Sequence, residues 1–145
     1  DAGQPRPLHI EKALAVMNFG KVAGGKIAPL PLPARGMKKS LLAACPYFAA
    51  ERWEFAQAAE LFTNKEHFNL LVILSGSGEI NCRDGIAPYR RGQTWFLPAA
   101  LDSPQIVPAQ ATTLLRIYLP DLQALRNRLR DDGEDDAAIS RVLFE

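Results

Sequence analysis

The sequence predicts a mainly β fold, a barrel or jelly roll, with helices confined to its two ends. Three observations predict it. From Ser40 to Tyr118, seven or eight short strand-like stretches are punctuated by turn residues every eight to twelve positions. Within them, Tyr47, Ala49, Glu51, Trp53 and Phe55 alternate with Phe48, Ala50, Arg52 and Glu54, an aromatic-rich period of two. Residues 70–98, LLVILSGSGEINCRDGIAPYRRGQTWFLP, read as strand, Gly-Ser-Gly turn, strand, turn, short strand, Arg-Arg-Gly turn, strand. At 145 residues the chain is one domain, long enough to bury a core without staples.

The elements follow in order. Asp1–Pro7 is a polar, extended lead-in. Leu8–Phe19 carries Ile10, Leu14 and Met17 at helical spacing, which predicts a short amphipathic helix. Gly20–Pro33 holds too many Gly and Pro for a regular helix or central strand. Val22, Ile27, Leu30 and Leu32 make it an ordered crossing loop. Helix and loop are expected to lie over the barrel. After the strand at 47–55, Glu60–Thr63 is a short strand candidate. Phe68–Leu74 and Glu79–Arg83 are expected to form a hairpin around Ser75–Gly78, and Asp84-Gly85 marks the next tight turn. Thr94–Leu97 and Thr112–Leu119 are further strands. Asp121 then caps a helix with Leu122, Leu125 and Leu129 on one face. Gly133 breaks it, and Glu134, Asp135 and Asp136 favour the start of a second helix with Ile139, Val142 and Leu143 on its apolar side. The chain thus divides into an N-terminal helix and crossing arm at 1–39, a barrel at 40–119 and a helical tail at 120–145.

Composition excludes several classes of function. Apolar residues at 48% and charged residues at 23% are ordinary for a globular chain, and a net charge of +1 points to neither nucleic acid nor an acidic membrane. No apolar run reaches the ~18 residues of a spanning helix. The start, Asp1-Ala2-Gly3, has no Met and no signal-like block, so a cut point in a longer protein is expected. Cys45 and Cys82, the only cysteines, are expected to be free thiols in a reducing cytoplasm.

Ser75-Gly76 after an apolar strand, then Gly92, five residues and Pro98, resemble the two motifs of a cupin, a double-stranded β-helix barrel. Arg6-Pro-Leu-His-Ile-Glu-Lys-Ala-Leu-Ala-Val-Met-Asn-Phe19 resembles the segment that leaves the catalytic domain of bacterial type I mannose-6-phosphate isomerases. Cys45-Pro-Tyr-Phe48, the Glu51–Glu54 strand, Leu74-Ser-Gly-Ser-Gly78 and Arg91-Gly-Gln-Thr-Trp-Phe-Leu-Pro98 resemble the C-terminal cupin domain of the same proteins. The resemblance spans about residues 6–119. It implies a parent enzyme that interconverts mannose 6-phosphate and fructose 6-phosphate. The implied Zn²⁺ sits in a separate catalytic domain whose ligands begin with Gln-x-His, and none of Gln4, Gln57, Gln93, Gln105, Gln110 and Gln123 has a His two places on.

The same alignment tests for a metal in this barrel. It puts Asn69 at the Glu ligand position, two His positions between Phe62 and Glu66, and Ser103 at the last His position. All four ligands are lost, and a divalent site needs three or four converging imidazole, carboxylate or thiolate groups. Lys65 is expected to bring a positive charge nearby. His67, beside the mouth, is read as a rim histidine rather than a ligand, and His9 as a local hydrogen-bonding group. Cys45 and Cys82 are read as small buried hydrophobes. Arg35, Gly36, Lys38 and Lys39 either cradle a phosphate or form a solvated basic loop. Glu51 and Glu54 point to opposite faces of one strand, which rules out an acid–base pair. Trp53 and Trp95 either stack on a sugar or belong to the core.

The expectation is a metal-free cupin domain, with no catalytic or metal-binding residue and no cofactor of its own. Its partner would be the catalytic domain of the same polypeptide, which it would pack against and stabilise. The alternatives are a barrel that binds a small sugar and a module that forms a homodimer.

Overall fold

The computed structural model describes residues 8–17, 19–20, 27–63 and 65–144. The lead-in at 1–7 and Val22 lie outside the described residues. Among the described residues, ten strands form two antiparallel sheets. The larger has the order β1 (Leu30–Leu32), β2 (Met37–Cys45), β3 (Phe48–Phe55), β10 (Thr112–Tyr118), β5 (Asn69–Ser75), β8 (Thr94–Leu97). The smaller has the order β4 (Ala59–Glu60), β9 (Gln105–Pro108), β6 (Ser77–Cys82), β7 (Gly85–Arg90). This is the predicted jelly roll, and its inward positions alternate as a pleated strand requires.

One expected pairing is corrected. β5 and β6 do not form a hairpin: β5 lies between β10 and β8, whereas β6 pairs with β7 and β9. The chain changes sheets at Gly76, whose φ of +88° suits glycine. A Cβ there would sit 2.6 Å from the Ala111 carbonyl oxygen. The true hairpin is β6–β7, closed at Asp84-Gly85, with Cys82 opposite Gly85.

The inner face of the large sheet carries two cores side by side. Over one half it packs against the small sheet through Trp53, Leu71, Ile73, Leu114, Ile80 and Ile106, all at most 2% exposed. A hydrogen bond of 2.8 Å between the Tyr89 and Thr112 hydroxyls ties the sheets together. Over the other half, Leu30, Leu32, Leu41, Ala44 and Ala49 are covered by the tail. Helix α2 (Leu122–Asp131) buries Leu125 and Leu129, and α3 (Asp136–Val142) buries Ala138, Ile139 and Val142. Asp121 and Asp135 cap them, accepting from Ala124 N at 2.9 Å and Ala138 N at 2.6 Å. Gly133, at φ +93°, separates them as predicted. The tail ends on this domain's own sheet, with Phe144 N donating to Ala44 O at 2.8 Å.

The N-terminal segment divides. Leu30 and Leu32 are buried in the second core, so the end of the crossing loop packs as expected. Helix α1 (Ile10–Val16) does not. Ile10, Leu14 and Met17 are 59%, 47% and 53% exposed, and no residue of the helix is buried. The apolar stripe is real, but no surface among the described residues receives it.

Candidate functional site at the barrel mouth

The seam between the two cores is polar. Pairing places Glu51 of β3 opposite Arg116 of β10, with Tyr118 and Asn69 opposite each other one step along the same inner face. A carboxylate and a guanidinium thus meet in the interior. Their side chains are only 5% and 17% exposed, 3.7 Å apart. Such a pair holds its place only if hydrogen bonds replace lost water. They do. Glu51 accepts from Trp53 Nε1 at 2.7 Å and from the Tyr118 hydroxyl at 2.8 Å. Arg116 donates from Nε to Asn69 Oδ1 at 2.8 Å, and its guanidinium lies 4.2 Å from the Tyr118 ring centroid. Burial, the Glu51 charge and the hydrogen bond to Glu51 together push the Tyr118 phenol well above its ordinary pKa.

Beside this cluster opens a cavity of about 480 Å³, bounded by the β3, β5 and β10 ends, the loop before β5 and helix α2. Lys39 enters it from β2, its ammonium 3.8 Å above the Trp53 ring centroid. Burial holds the Lys39 pKa below its usual value, and the Arg116 and Arg128 charges add to that while Glu51 opposes it. Arg128 of α2 and His67 complete the basic lining, and Phe62 and Phe68 flank it.

The loops that carry the cupin ligand positions do face each other. Leu61 N donates to Pro104 O, Thr63 Oγ1 to Leu101 O at 3.1 Å, and Lys65 pairs with Asp102 at 2.8 Å. The residues at those positions do not suit a metal. Asn69 is 3% exposed and accepts from a guanidinium, and Ser103 is exposed on its loop. No group of three or more His, Cys, Asp or Glu able to hold a metal occurs among the described residues. Lys65 is exposed and pairs with Asp102, beside the Ser103 position, so its charge does lie by the ligand-position loops, and Arg116 adds a second charge inside the mouth.

The other singled-out residues separate clearly. Glu51 and Glu54 do lie on opposite faces, Glu51 inside and Glu54 paired with Arg52 at 3.0 Å outside. Trp53 is core at 1% exposure, and Trp95 packs partly buried against the same core. Arg35, Gly36 and Lys38 are exposed, whereas strand alternation turns Lys39 inward. His9 precedes α1, exposed and with no side-chain capping bond. Cys45 and Cys82 are free thiols, half-buried rather than fully buried, and burial raises the Cys82 pKa. Arg116 and Tyr118 are not among the sequence candidates, because only the β3–β10 pairing brings them against Glu51.

Two sheets in this order, with a mouth at the β5 end, define a cupin barrel. The family description "Mannose-6-phosphate isomerase, cupin domain" matches residues 37–118, and the chain belongs to that family. It is 29% identical over 105 residues to a mannose-6-phosphate isomerase of Streptococcus mutans, a match covering 71% of this chain and 32% of that protein. It superposes on the crystal structure of the Bacillus subtilis mannose 6-phosphate isomerase with a TM-score of 0.57 at 25% identity, covering 81% of this chain and 36% of that one. An RmlC-like cupin from Shewanella frigidimarina, 18% identical, shares the fold with a TM-score of 0.54 over 68% of this chain and 88% of its own. The chain spans about a third of the length of the curated relatives it matches. Among the described residues no helix is long and apolar enough to cross a membrane.

Proposed function

We propose that this chain is the non-catalytic cupin domain of a mannose-6-phosphate isomerase, which packs against and steadies the remaining two-thirds of a longer cytoplasmic enzyme. That larger part would hold the zinc and interconvert mannose 6-phosphate and fructose 6-phosphate. The observation that carries the reading is the Arg116 guanidinium bonded to Asn69 at a lost ligand position. A divalent cation brought there would meet a fixed positive charge and a neutral amide instead of a carboxylate. The outer face of the large sheet supports the packing role. Ala50, Ile117, Leu70 and Phe96 form one apolar row across four strands, and Phe68 lies against Phe96 with ring centroids 5.1 Å apart. Partly exposed apolar rows of this kind suit an interface. The mixed polar cavity favours a second reading, a barrel that holds a small sugar, and the same apolar row would also serve a homodimer.

The test is elemental analysis of chelator-treated chain after exposure to Zn²⁺, with a coupled isomerase assay on the same sample. Substoichiometric metal and a rate equal to the enzyme-free control are expected. One bound metal per barrel, or turnover that copurifies with the chain, would overturn the proposal.

A further inference from the structure

We infer that the cavity at the barrel mouth binds a small oxyanion, a phosphate or carboxylate group held between the Lys39 ammonium and the Arg128 guanidinium. This goes beyond the scaffold role and does not depend on it.

Both Glu51 oxygens are already engaged, by Trp53, Tyr118 and Arg116. Asp121, which also lines the cavity, caps α2 by accepting from Ala124 N. Glu60 lies exposed on the rim. The cations are less satisfied. Lys39 is half-buried, and among the described residues its ammonium has no ion-pair or hydrogen-bond partner; it rests on the Trp53 ring. Arg128 reaches Asp132 only through Nε, at 3.9 Å, which leaves its terminal amino groups for the cavity it lines. Arg116, fixed by Glu51 and Asn69, adds a third positive charge at the floor.

Cations gathered in a cavity repel one another, and a half-buried ammonium has given up part of its hydration. An oxyanion relieves both costs and accepts charge-assisted hydrogen bonds from Lys39 and Arg128. The volume admits a ligand larger than the oxyanion itself, so the anion would be one end of a small polar metabolite.

The experiment is thermal unfolding of the chain in buffer free of phosphate and carboxylates. Orthophosphate and malonate are titrated separately, each against chloride at matched ionic strength. A rise that grows with the logarithm of anion concentration is expected, about 5–10 °C at on the order of a hundred dissociation constants. A response to orthophosphate alone assigns a phosphoryl group, and one to malonate alone assigns a carboxylate. A response to both leaves the shared oxyanion chemistry. Lys39→Met keeps the stem over Trp53, removes the charge and should weaken binding at least about tenfold. Arg128→Gln, at a 58% exposed side chain that does not threaten folding, should also weaken it. Lys65→Gln, whose partner is Asp102, should not. No rise beyond the chloride control with either anion would overturn the inference, as would wild-type binding in Arg128→Gln together with Lys39→Met.

Discussion

Leu129→Ala tests whether the helical tail belongs to this domain. Leu129 is fully buried among the residues that join α2 and α3 to β1, β2 and β3. Truncating a buried leucine removes its transfer free energy and leaves a cavity, at a cost of about 2–5 kcal/mol. A site at 0% exposure, walled by strands on one side and a second helix on the other, has little room to collapse, so the upper half of that range is expected. Against a total stability of about 5–15 kcal/mol the loss is large. At roughly 2–4 °C per kcal/mol for a chain of this size, the melting temperature should fall by about 7–20 °C. The transition should stay single, because β3 contributes Ala49 to one core and Trp53 to the other. Thermal unfolding followed by circular dichroism and tryptophan fluorescence reads both quantities. Gln123→Ala, exposed on the same helix, is the control and should stay within about 0.5 kcal/mol. If Leu129→Ala melts with the wild type, or melts α2 and α3 in a separate early step, the tail is an appendage and the second core is not one.

Three further outcomes follow from single contacts. Gly78→Ala would set a Cβ 2.2 Å from Val107 O and 2.8 Å from Pro108 Cα on β9, so urea unfolding should show a loss of about 1–3 kcal/mol or more. Asp121→Ala removes the α2 cap and should cost about 0.5–2 kcal/mol by the same measurement, whereas an unchanged midpoint would refute the capping role. Lys39 has a folded pKa held below its ordinary 10.5 by burial, so between that lowered value and 10.5 the unfolded chain binds more protons and stability rises with pH. The stability difference between Lys39→Met and wild type, read from urea midpoints, should therefore shrink in favour of wild type as pH climbs through that window, and a pH-independent difference would contradict the burial.

The barrel was legible because its signals are local. Period-two alternation at 47–55, the Asp84-Gly85 turn, the Asp121 cap and the Gly133 break each lie within a few residues of what they specify. What needed distant partners was not legible. Ser75–Gly78 looks like a hairpin turn by spacing, yet β5 chooses β10 and β8 as neighbours, so the chain must leave for the other sheet. Strand β9 is four residues long and β1 three, too short for alternation to declare itself. For α1, the helical stripe was read correctly, but periodicity cannot say whether a surface exists to receive it. The mouth cluster was hidden for the same reason. Glu51 and Arg116 each look like an ordinary polar residue in a strand until the β3–β10 register puts them face to face.

That register also explains how a cupin can lose its metal ligands and keep its mouth. In a metal-binding barrel a dication draws several donors together at the end of the interior. Here the neutralising charge is covalently attached. Arg116 offers five donors in a fixed plane, and its contacts reach Asn69 on β5, Glu51 on β3 and the Phe62 carbonyl on the loop between them, the last at 3.4 Å. One side chain thereby links the strands and the loop that a metal would otherwise join. The cost is that the positive charge cannot leave. Restoring a carboxylate at position 69 alone would give Arg116 a second anionic partner rather than recreate a metal site, because a dication would have to displace a guanidinium already paired and largely buried.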